Sequence, residues 1–328
     1  MTEPTGAPSD LRSALAADSR RTKTVWSIAI GVVAVGAIVG CVVLATNVWA
    51  PKDATKAAAT GAPERLSVRI ATADDSAYQD TIAEVAAEKG LDVEWVNVDD
   101  WVLPNTELVA GTVDANAFQH ILYLSAFNAE TDADITPVFS TVITQWGIFS
   151  ATLDDVADIP EGGRIAIPDD PSNGGRALFI LEAAGLLAVA DDAGEFPTAD
   201  DITSNPLGLE FVEVGARTIP QQFDDPSLSA VVVGTSYFEP SQGVTKEDAL
   251  FLDDPLADAS LPYVNVVATR ADDVDDPAWD ILAEAYADPR VDTAREEEFF
   301  GNSIAVDVDV EKLRAKLAEL EELAAENG

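Results

Sequence analysis

The side chains best suited to chemistry in this sequence are those that hold a charged small molecule. Arg176 follows a Pro-Ser-Asn-Gly-Gly turn at 171–175, and a guanidinium pairs with a carboxylate through two parallel hydrogen bonds. Glycines allow close backbone approach, and a helix N-terminus favours an anion. We therefore predict that Arg176 binds a ligand carboxylate, with Asn173 nearby. The alternative is a capping turn that carries a surface arginine.

Side chains that could break bonds are scarce. The 328 residues contain one histidine, His120, and one cysteine, Cys41. No disulfide can form within the chain, no Cys/His zinc cluster is available, and no nucleophile elbow occurs. The phosphate-binding P-loop pattern is also missing, so any ATP hydrolysis belongs to another subunit. We expect no catalytic residue, no metal and no cofactor.

The composition narrows the class of partner. The chain has 59 acidic and 19 basic side chains, which gives a formal charge of −40. Phosphate backbones require clustered lysine and arginine, so nucleic acid is not an expected partner. Hydrophobic residues make up 47% of the chain, enough for a sizeable core. The acidity fits either an outward-facing acidic surface or life at high salt.

The N-terminal region predicts a membrane anchor. Residues 1–24 are polar and end in a basic cluster, which is expected to stay in the cytoplasm. Residues 25–50 carry no charge and exceed the ~18 apolar residues typical of a transmembrane helix. The tetrapeptide at 38–41 resembles a lipobox, in which Cys41 would be lipidated. Both interpretations stay open, and both place the body on the extracytoplasmic face of the cell membrane, after a linker at 51–65.

The body alternates strand-like and helix-like segments, which predicts an α/β fold with largely parallel strands. Residues 66–72 alternate apolar and polar, Ser76 can cap a helix, and Gly90 can end it. Leucines at helical spacing near the C-terminus predict a surface helix packed on the body, with a partner helix as the alternative. Further strands are predicted at 164–167, 209–214, 229–233 and 263–269, and helices at 104–111, 114–127, 174–188, 236–242, 277–287 and 291–300.

Four blocks occur in the order and spacing of one known family. Residues 100–105 read D-W-V-L-P-N beside the family's D-Y-V-L-P-N, and residues 114–124 match D-A-N-A-F-Q-H-x-x-Y-L. Residues 167–178 resemble V-P-N-D-P-T-N-x-G-R-A-L, and residues 262–265 match P-Y-V-N. Over 66–305 the chain therefore resembles the methionine-binding, NlpA-type lipoproteins, the substrate-binding proteins of ABC importers.

The resemblance implies a two-lobed, periplasmic-binding-protein-like α/β fold with two hinge crossings, preceded by the N-terminal membrane helix. By analogy the chain crosses between lobes near 141–149 and 263–269. A ligand that touches both lobes would favour their closure. The implied division is lobe one at 66–145 plus 266–308, lobe two at 146–265, and a C-terminal helix at 309–328.

The resemblance also implies a set of ligand contacts. The block at 114–124, predicted here as helix, places Phe118, His120 and Tyr123 at the pocket for the ligand side chain. Trp146 falls at the first crossing, and Asn265 lies in an apolar strand run where a polar group needs a partner. The full predicted set is Arg176, Asn173, Asn265, Phe118, His120, Tyr123, Trp146, Thr235 and Asn116.

Two departures leave the ligand open. Gly234 stands where the family has asparagine, and residues 141–147 do not follow the family's V-Y-P pattern. A buried amide that is lost without replacement costs ~1–3 kcal/mol. L-methionine, D-methionine, a methionine-containing dipeptide and another small amino acid all remain candidates, with an ABC permease and an ATPase as partners. The alternatives are a membrane-tethered, amidase-like extracellular hydrolase and a sensory surface protein with the same fold.

Overall fold

The computed structural model describes residues 65–73, 76–98 and 100–327. The predicted N-terminal tail, the membrane helix or lipoprotein signal with Cys41, and nearly all of the linker lie outside these residues. Within the described residues, no helix is both long enough and apolar enough to cross a membrane.

Strands and helices alternate along the described chain. The helices are α1 (Ala77–Glu88), α2 (Leu103–Val109), α3 (Ile121–Thr131), α4 (Pro171–Ala183), α5 (Ala278–Tyr286), α6 (Pro289–Phe299) and α7 (Val310–Asn327). The strands are β1 (Leu66–Thr72), β2 (Leu91–Asn97), β3 (Ala115–His120), β4 (Ile135–Thr144), β5 (Trp146–Phe149), β6 (Arg164–Pro168), β7 (Ala188–Val189), β8 (Ile202–Ser204), β9 (Glu210–Val214), β10 (Ala230–Gly234), β11 (Ala249–Leu252), β12 (Val264–Arg270) and β13 (Ser303–Ala305).

Local signals explain the first strand–helix unit. The hydroxyl oxygen of Ser76 accepts a hydrogen bond from the backbone N–H of Gln79 at 3.1 Å, which caps α1 as predicted. Gly90 follows the helix with φ +98°, a left-handed conformation that glycine adopts without strain. The chain therefore turns directly from α1 into β2, which pairs with β1 in parallel.

Two separate sheets form the body. The first has the strand order β13-β4-β12-β3-β1-β2, and the second has the order β11-β5-β10-β6-β9. β7 and β8 form a small two-stranded sheet. Gln145 alone separates β4 of the first sheet from β5 of the second. The chain returns to the first sheet at Val264, where β12 begins.

Helices cover both faces of the first sheet. On one face, α3 and α7 bury Leu122 and Leu313 against β4 and β12. On the other face, α1 and α5 bury Ile82 and Leu282 against Ile70 of β1. Each such side chain contributes ~1.5–3 kcal/mol through its removal from water. The second sheet also has an apolar cluster on each face.

The predicted helix over 114–127 is wrong in its first half. Residues Ala115–His120 form β3, which pairs with β1 on one side and with β12 on the other. Pairing with two neighbours overrides the local preference of this short apolar segment, and only Ile121 onward is helical. The predicted helix at 236–242 is also wrong, because that region contains only short 3-10 turns at Thr235–Tyr237 and Pro240–Gln242.

Candidate functional site

The first two turns of α4 carry two of the predicted ligand contacts, Asn173 and Arg176. Asp170 caps the helix, and its Oδ1 accepts the backbone N–H of Asn173 at 2.9 Å. A Cβ on Gly174 would lie 2.9 Å from the carbonyl oxygen of Pro168, and one on Gly175 would lie 2.9 Å from Cδ of Pro197. The two glycines therefore let α4 pack closely against Pro168 and Pro197.

Arg176 points inward from α4 and is only 2% exposed. Its Nη2 donates to the carbonyl oxygen of Thr144 at 2.9 Å and to Oδ2 of Asp253 at 2.5 Å. The guanidinium carbon lies 4.9 Å from the ring centre of Trp146 and 4.2 Å from that of Tyr263. Arg176 is therefore buried where chain segments from both sheets meet, and the alternative of a surface arginine is wrong.

Two features of Arg176 were not foreseen. Its Nε has no hydrogen-bond partner within the described part of the chain. Its carboxylate partner, Asp253, lies 77 positions along the chain. Asp253 is held in place because its Oδ1 accepts the backbone N–H of Trp146 at 2.8 Å and its carbonyl oxygen accepts from Gln145 at 2.8 Å. No local pattern in the sequence links these positions.

His120 joins the two sheets. Its Nδ1 accepts the backbone N–H of Tyr123 at 3.1 Å and so caps α3. The proton therefore belongs on Nε2, which donates to Oδ1 of Asn173 at 3.1 Å. Burial lowers the pKa of His120 to about 4, the bond to Asn173 opposes that shift, and the charge of Arg176 adds to it. His120 is thus neutral at physiological pH.

Aromatic rings surround this junction. Phe118 of β3 and Tyr123 of α3 meet edge to face, with ring centres 6.0 Å apart. Trp101 lies between α3 and the 3-10 turn at Thr235–Tyr237, because its ring is 6.2 Å from that of Tyr123 and 5.7 Å from that of Tyr237. Tyr237 in turn lies 5.7 Å from Trp146. Burial raises the pKa of the Tyr123 phenol, so it stays protonated as a hydrogen-bonding group.

An open cleft of about 550 Å³ adjoins these rings. Phe118 and Asn265 of the predicted set line it, together with Trp101 and Tyr237. Arg217 lies in the 3-10 helix at Ala216–Gln222, also lines the cleft, and donates from Nη1 to the carbonyl oxygen of Ala73 at 2.9 Å. The cleft therefore lies between strands of the first sheet and the segments that follow β9 and β10 of the second sheet.

Two predicted contacts have other partners. Asn116 is fully buried, and its amide belongs to a hydrogen-bonded triad with Asn105 and Gln119, joined by bonds of 2.6–3.0 Å. Thr235 donates to the carbonyl oxygens of Gln145 and Asn302 at 3.0 and 3.2 Å. Both residues hold the frame of the site and do not face the cleft with a free polar group.

Sequence reasoning missed Trp101, Tyr237, Tyr263 and Asp253. Trp101 and Tyr263 stand inside blocks that carry the resemblance, Tyr237 follows Gly234 by three positions, and the aromatic character of all three was the available signal. Gly234 has a structural reason of its own, since a Cβ there would lie 3.0 Å from Nε1 of Trp146. The indole of Trp146 fills the space beside Gly234.

Comparison with known proteins decides the family. Residues 66–306 match the sequence profile of the NlpA lipoprotein family. The chain belongs to the NlpA lipoprotein family. The D-methionine-binding lipoprotein MetQ of Salmonella typhimurium is 32% identical over 272 residues, which cover 83% of this chain and 96% of that protein. The expected family resemblance is thus confirmed.

Solved structures of similar proteins confirm the α/β fold class. Protein PG110 from Staphylococcus aureus superposes with a TM-score of 0.71 at 30% identity, covering 77% of this chain and 99% of that one. A nutrient binding protein from Burkholderia cenocepacia bound to methionine gives a TM-score of 0.67 at 32% identity, covering 73% and 99%. A periplasmic substrate-binding protein of an ABC transporter from Coxiella burnetii gives 0.67 at 32%, covering 73% and 100%.

The donor set of this NlpA family member suits an organic ligand. Within the described residues, no group of three or more His, Cys, Asp or Glu side chains could hold a metal ion. The junction instead combines a guanidinium, a neutral imidazole, an amide and several aromatic faces, which are the groups that bind a zwitterion with an apolar side chain.

Proposed function

We propose that this chain is the extracytoplasmic solute-binding component of an ABC importer and that its ligand is methionine or a closely related amino acid or dipeptide. Its NlpA relatives include proteins named for D-methionine binding, and one similar structure holds methionine. A separate permease and a separate ATPase would complete the importer. The N-terminal segment would tether the body to the cell membrane.

The position of Arg176 where segments of both sheets meet, together with its incomplete hydrogen bonding, carries the proposal. A buried donor without a partner costs ~1–3 kcal/mol, so a site of this kind is completed by a ligand or by water. The unpaired Nε belongs to a guanidinium that also lies close to the rings of Trp146 and Tyr263. Because Arg176 is only 2% exposed in this arrangement, a ligand carboxylate would reach this donor while the cleft is open and would compete with Asp253 for the charge.

The aromatic rings supply the other half of recognition. A thioether in contact with an aromatic edge gains ~0.3–1.5 kcal/mol beyond simple burial. Trp101, Phe118, Tyr123 and Tyr237 present such edges beside the junction. We therefore place the carboxylate at Arg176 and the apolar side chain among these rings.

Closure would couple binding to transport. We take the unit built on the first sheet as lobe one and the unit built on the second sheet as lobe two. Bonds from His120 to Asn173 and from Arg217 to Ala73 join the lobes in this structure. A ligand that touches both lobes shifts the population toward this arrangement, which the permease would then recognise.

Calorimetry on the full chain in detergent tests the proposal. The probes are L-methionine, D-methionine, glycylmethionine and L-methioninamide, which lacks the carboxylate. At least one acid should bind and, at 100 times its Kd, stabilise the fold by ~2.7 kcal/mol. Methioninamide should bind at least about tenfold more weakly than L-methionine, because it cannot pair with Arg176. Absence of binding by all four probes would contradict the proposal.

A further inference from the structure

The C-terminal helix α7 lies beyond the part of the chain that matches the family, which ends at residue 306. One face of α7 is anchored on lobe one. Leu313, Leu317 and Leu320 are buried in the same cluster as the leucines of α3. Nε of Arg314 donates to the carbonyl oxygen of Pro137 at 3.0 Å, which ties α7 to β4.

The same helix also contacts lobe two. Nζ of Lys316 lies 3.2 Å from Oε1 of Glu195, in the segment that connects β7 to β8. The neighbouring Phe196 is buried in the lobe-one cluster that α7 completes. Leu323 of α7 and Val189 of β7 line one shared cavity. The contact between α7 and lobe two is therefore both apolar and ionic.

The segment at 195–197, which contacts α7, also packs against the first turns of α4, where the proposed ligand contacts Asn173 and Arg176 lie. A Cβ on Gly175 would lie 2.9 Å from Cδ of Pro197 and 3.4 Å from the carbonyl oxygen of Glu195. Gly175 stands between Asn173 and Arg176, two of the lobe-two residues at the junction. A continuous line of close contacts therefore runs from α7 through residues 195–197 to the turn that carries Arg176.

We propose that α7 is a strap that holds the two lobes together and slows the release of ligand. The two covalent crossings, at Gln145 and before Val264, leave the lobes free to rotate about a hinge. The strap adds a third, non-covalent connection, so opening must both withdraw Phe196 from its apolar cluster and break the Lys316–Glu195 pair. The effect on ligand release rests on the proposed function, whereas the effect on lobe opening does not.

Three variants of the full chain separate the strap from local structure. Phe196→Ala weakens the apolar grip, and Glu195→Gln removes the ion pair between lobes. Glu319→Gln is the matched control, because Glu319 is the other carboxylate beside Lys316, at 3.0 Å, and lies on α7 itself. Two quantities are measured for each variant: amide hydrogen exchange without ligand, and the rate of L-methionine dissociation by tryptophan fluorescence.

The strap predicts a graded result. Phe196→Ala should speed dissociation about tenfold, because opening no longer exposes a phenylalanine side chain. Glu195→Gln should speed it about two- to threefold, as expected for a partly exposed pair, and Glu319→Gln should leave it unchanged. In Phe196→Ala, amides of the cleft-lining segment at 236–239 should exchange faster even without ligand.

Other outcomes would overturn the strap. If Phe196→Ala loosens only residues 190–197 and leaves both cleft exchange and dissociation unchanged, Phe196 is merely a local core residue. Equal effects of Glu195→Gln and Glu319→Gln would show that the pair between lobes has no special role. If the wild-type chain binds none of the methionine probes, the proposed function fails, and the exchange of cleft amides still decides whether the strap exists.

Discussion

Arg176 and Arg295 are both buried and both have an Nε without a partner among the described residues, but their carboxylate partners differ. Arg295 is 4% exposed, and its Nε also has no partner among the described residues. Its Nη2 lies 2.7 Å from Oδ1 of Asp292 and 2.6 Å from Oε1 of Glu296, both on its own helix and both more than half exposed. Asp253, the partner of Arg176, is only 17% exposed and comes from a distant segment.

The difference teaches how to recognise a binding arginine. Arg295 fastens α6 to β13 through Ser303, entirely within lobe one. Arg176 lies where β4, β11 and α4 converge from both lobes, between two aromatic rings. Burial and an unpaired Nε are common to both residues, so position between the two sheets is what distinguishes Arg176 and supports its proposed role as a ligand contact.

Replacement of each arginine by methionine tests this distinction most strongly. Arg176→Met should lower the free energy of unfolding by ~3–5 kcal/mol, because it strands the largely buried Asp253, and should weaken L-methionine binding at least about 100-fold. Arg295→Met leaves its carboxylates in water, so it should cost ~1–2 kcal/mol and leave affinity unchanged. Urea unfolding and calorimetry measure both quantities. Equal losses of affinity in the two variants would contradict the distinction.

The pH dependence of the free energy of unfolding tests the burial of His120, which lies beside Arg176 at the junction. The folded pKa of His120 is about 4, below the ordinary value of 6.5, so only the unfolded chain takes up this proton between those values. Stability from His120 should therefore be present above pH 6.5 and fall by ~3 kcal/mol as pH drops to 4. Urea unfolding of the wild type and of His120→Gln across this range isolates the contribution. Parallel pH curves for the two proteins would mean that His120 does not titrate as described.

Replacement of the carboxylate partners of the two arginines, Asp253 and Asp292, is expected to have the smallest effects on stability. Asp253→Asn should cost ~2 kcal/mol, because Arg176 then keeps a buried charge without a counter-ion. Asp292→Asn removes only an exposed partner of Arg295 and should cost at most ~0.5 kcal/mol. A thermal shift with L-methionine should be larger in Asp253→Asn than in the wild type, since the ligand carboxylate no longer competes with Asp253. A smaller shift would indicate that Asp253 helps to bind the ligand.

Local sequence signals predicted the elements that depend on neighbours in the chain. Ser76 and Gly90 bound α1 as expected, and alternation identified β1. The helix predicted over 114–127 failed because β3 is stabilised by β1 and β12, which are distant in sequence. The site likewise contains residues that the sequence predicts and residues that only the fold brings together. Residue type pointed to Arg176, but only the folded chain reveals its pairing with Asp253.

The amide triad of Asn105, Asn116 and Gln119 has a consequence for variation at this site. The three side chains hydrogen-bond to one another, so removal of one leaves two buried amides with lost bonds. Replacement of all three by apolar residues of matching volume would remove the polar groups together and is expected to be milder than a single change. The energies of substitution are therefore strongly non-additive, and these positions should change jointly among related chains.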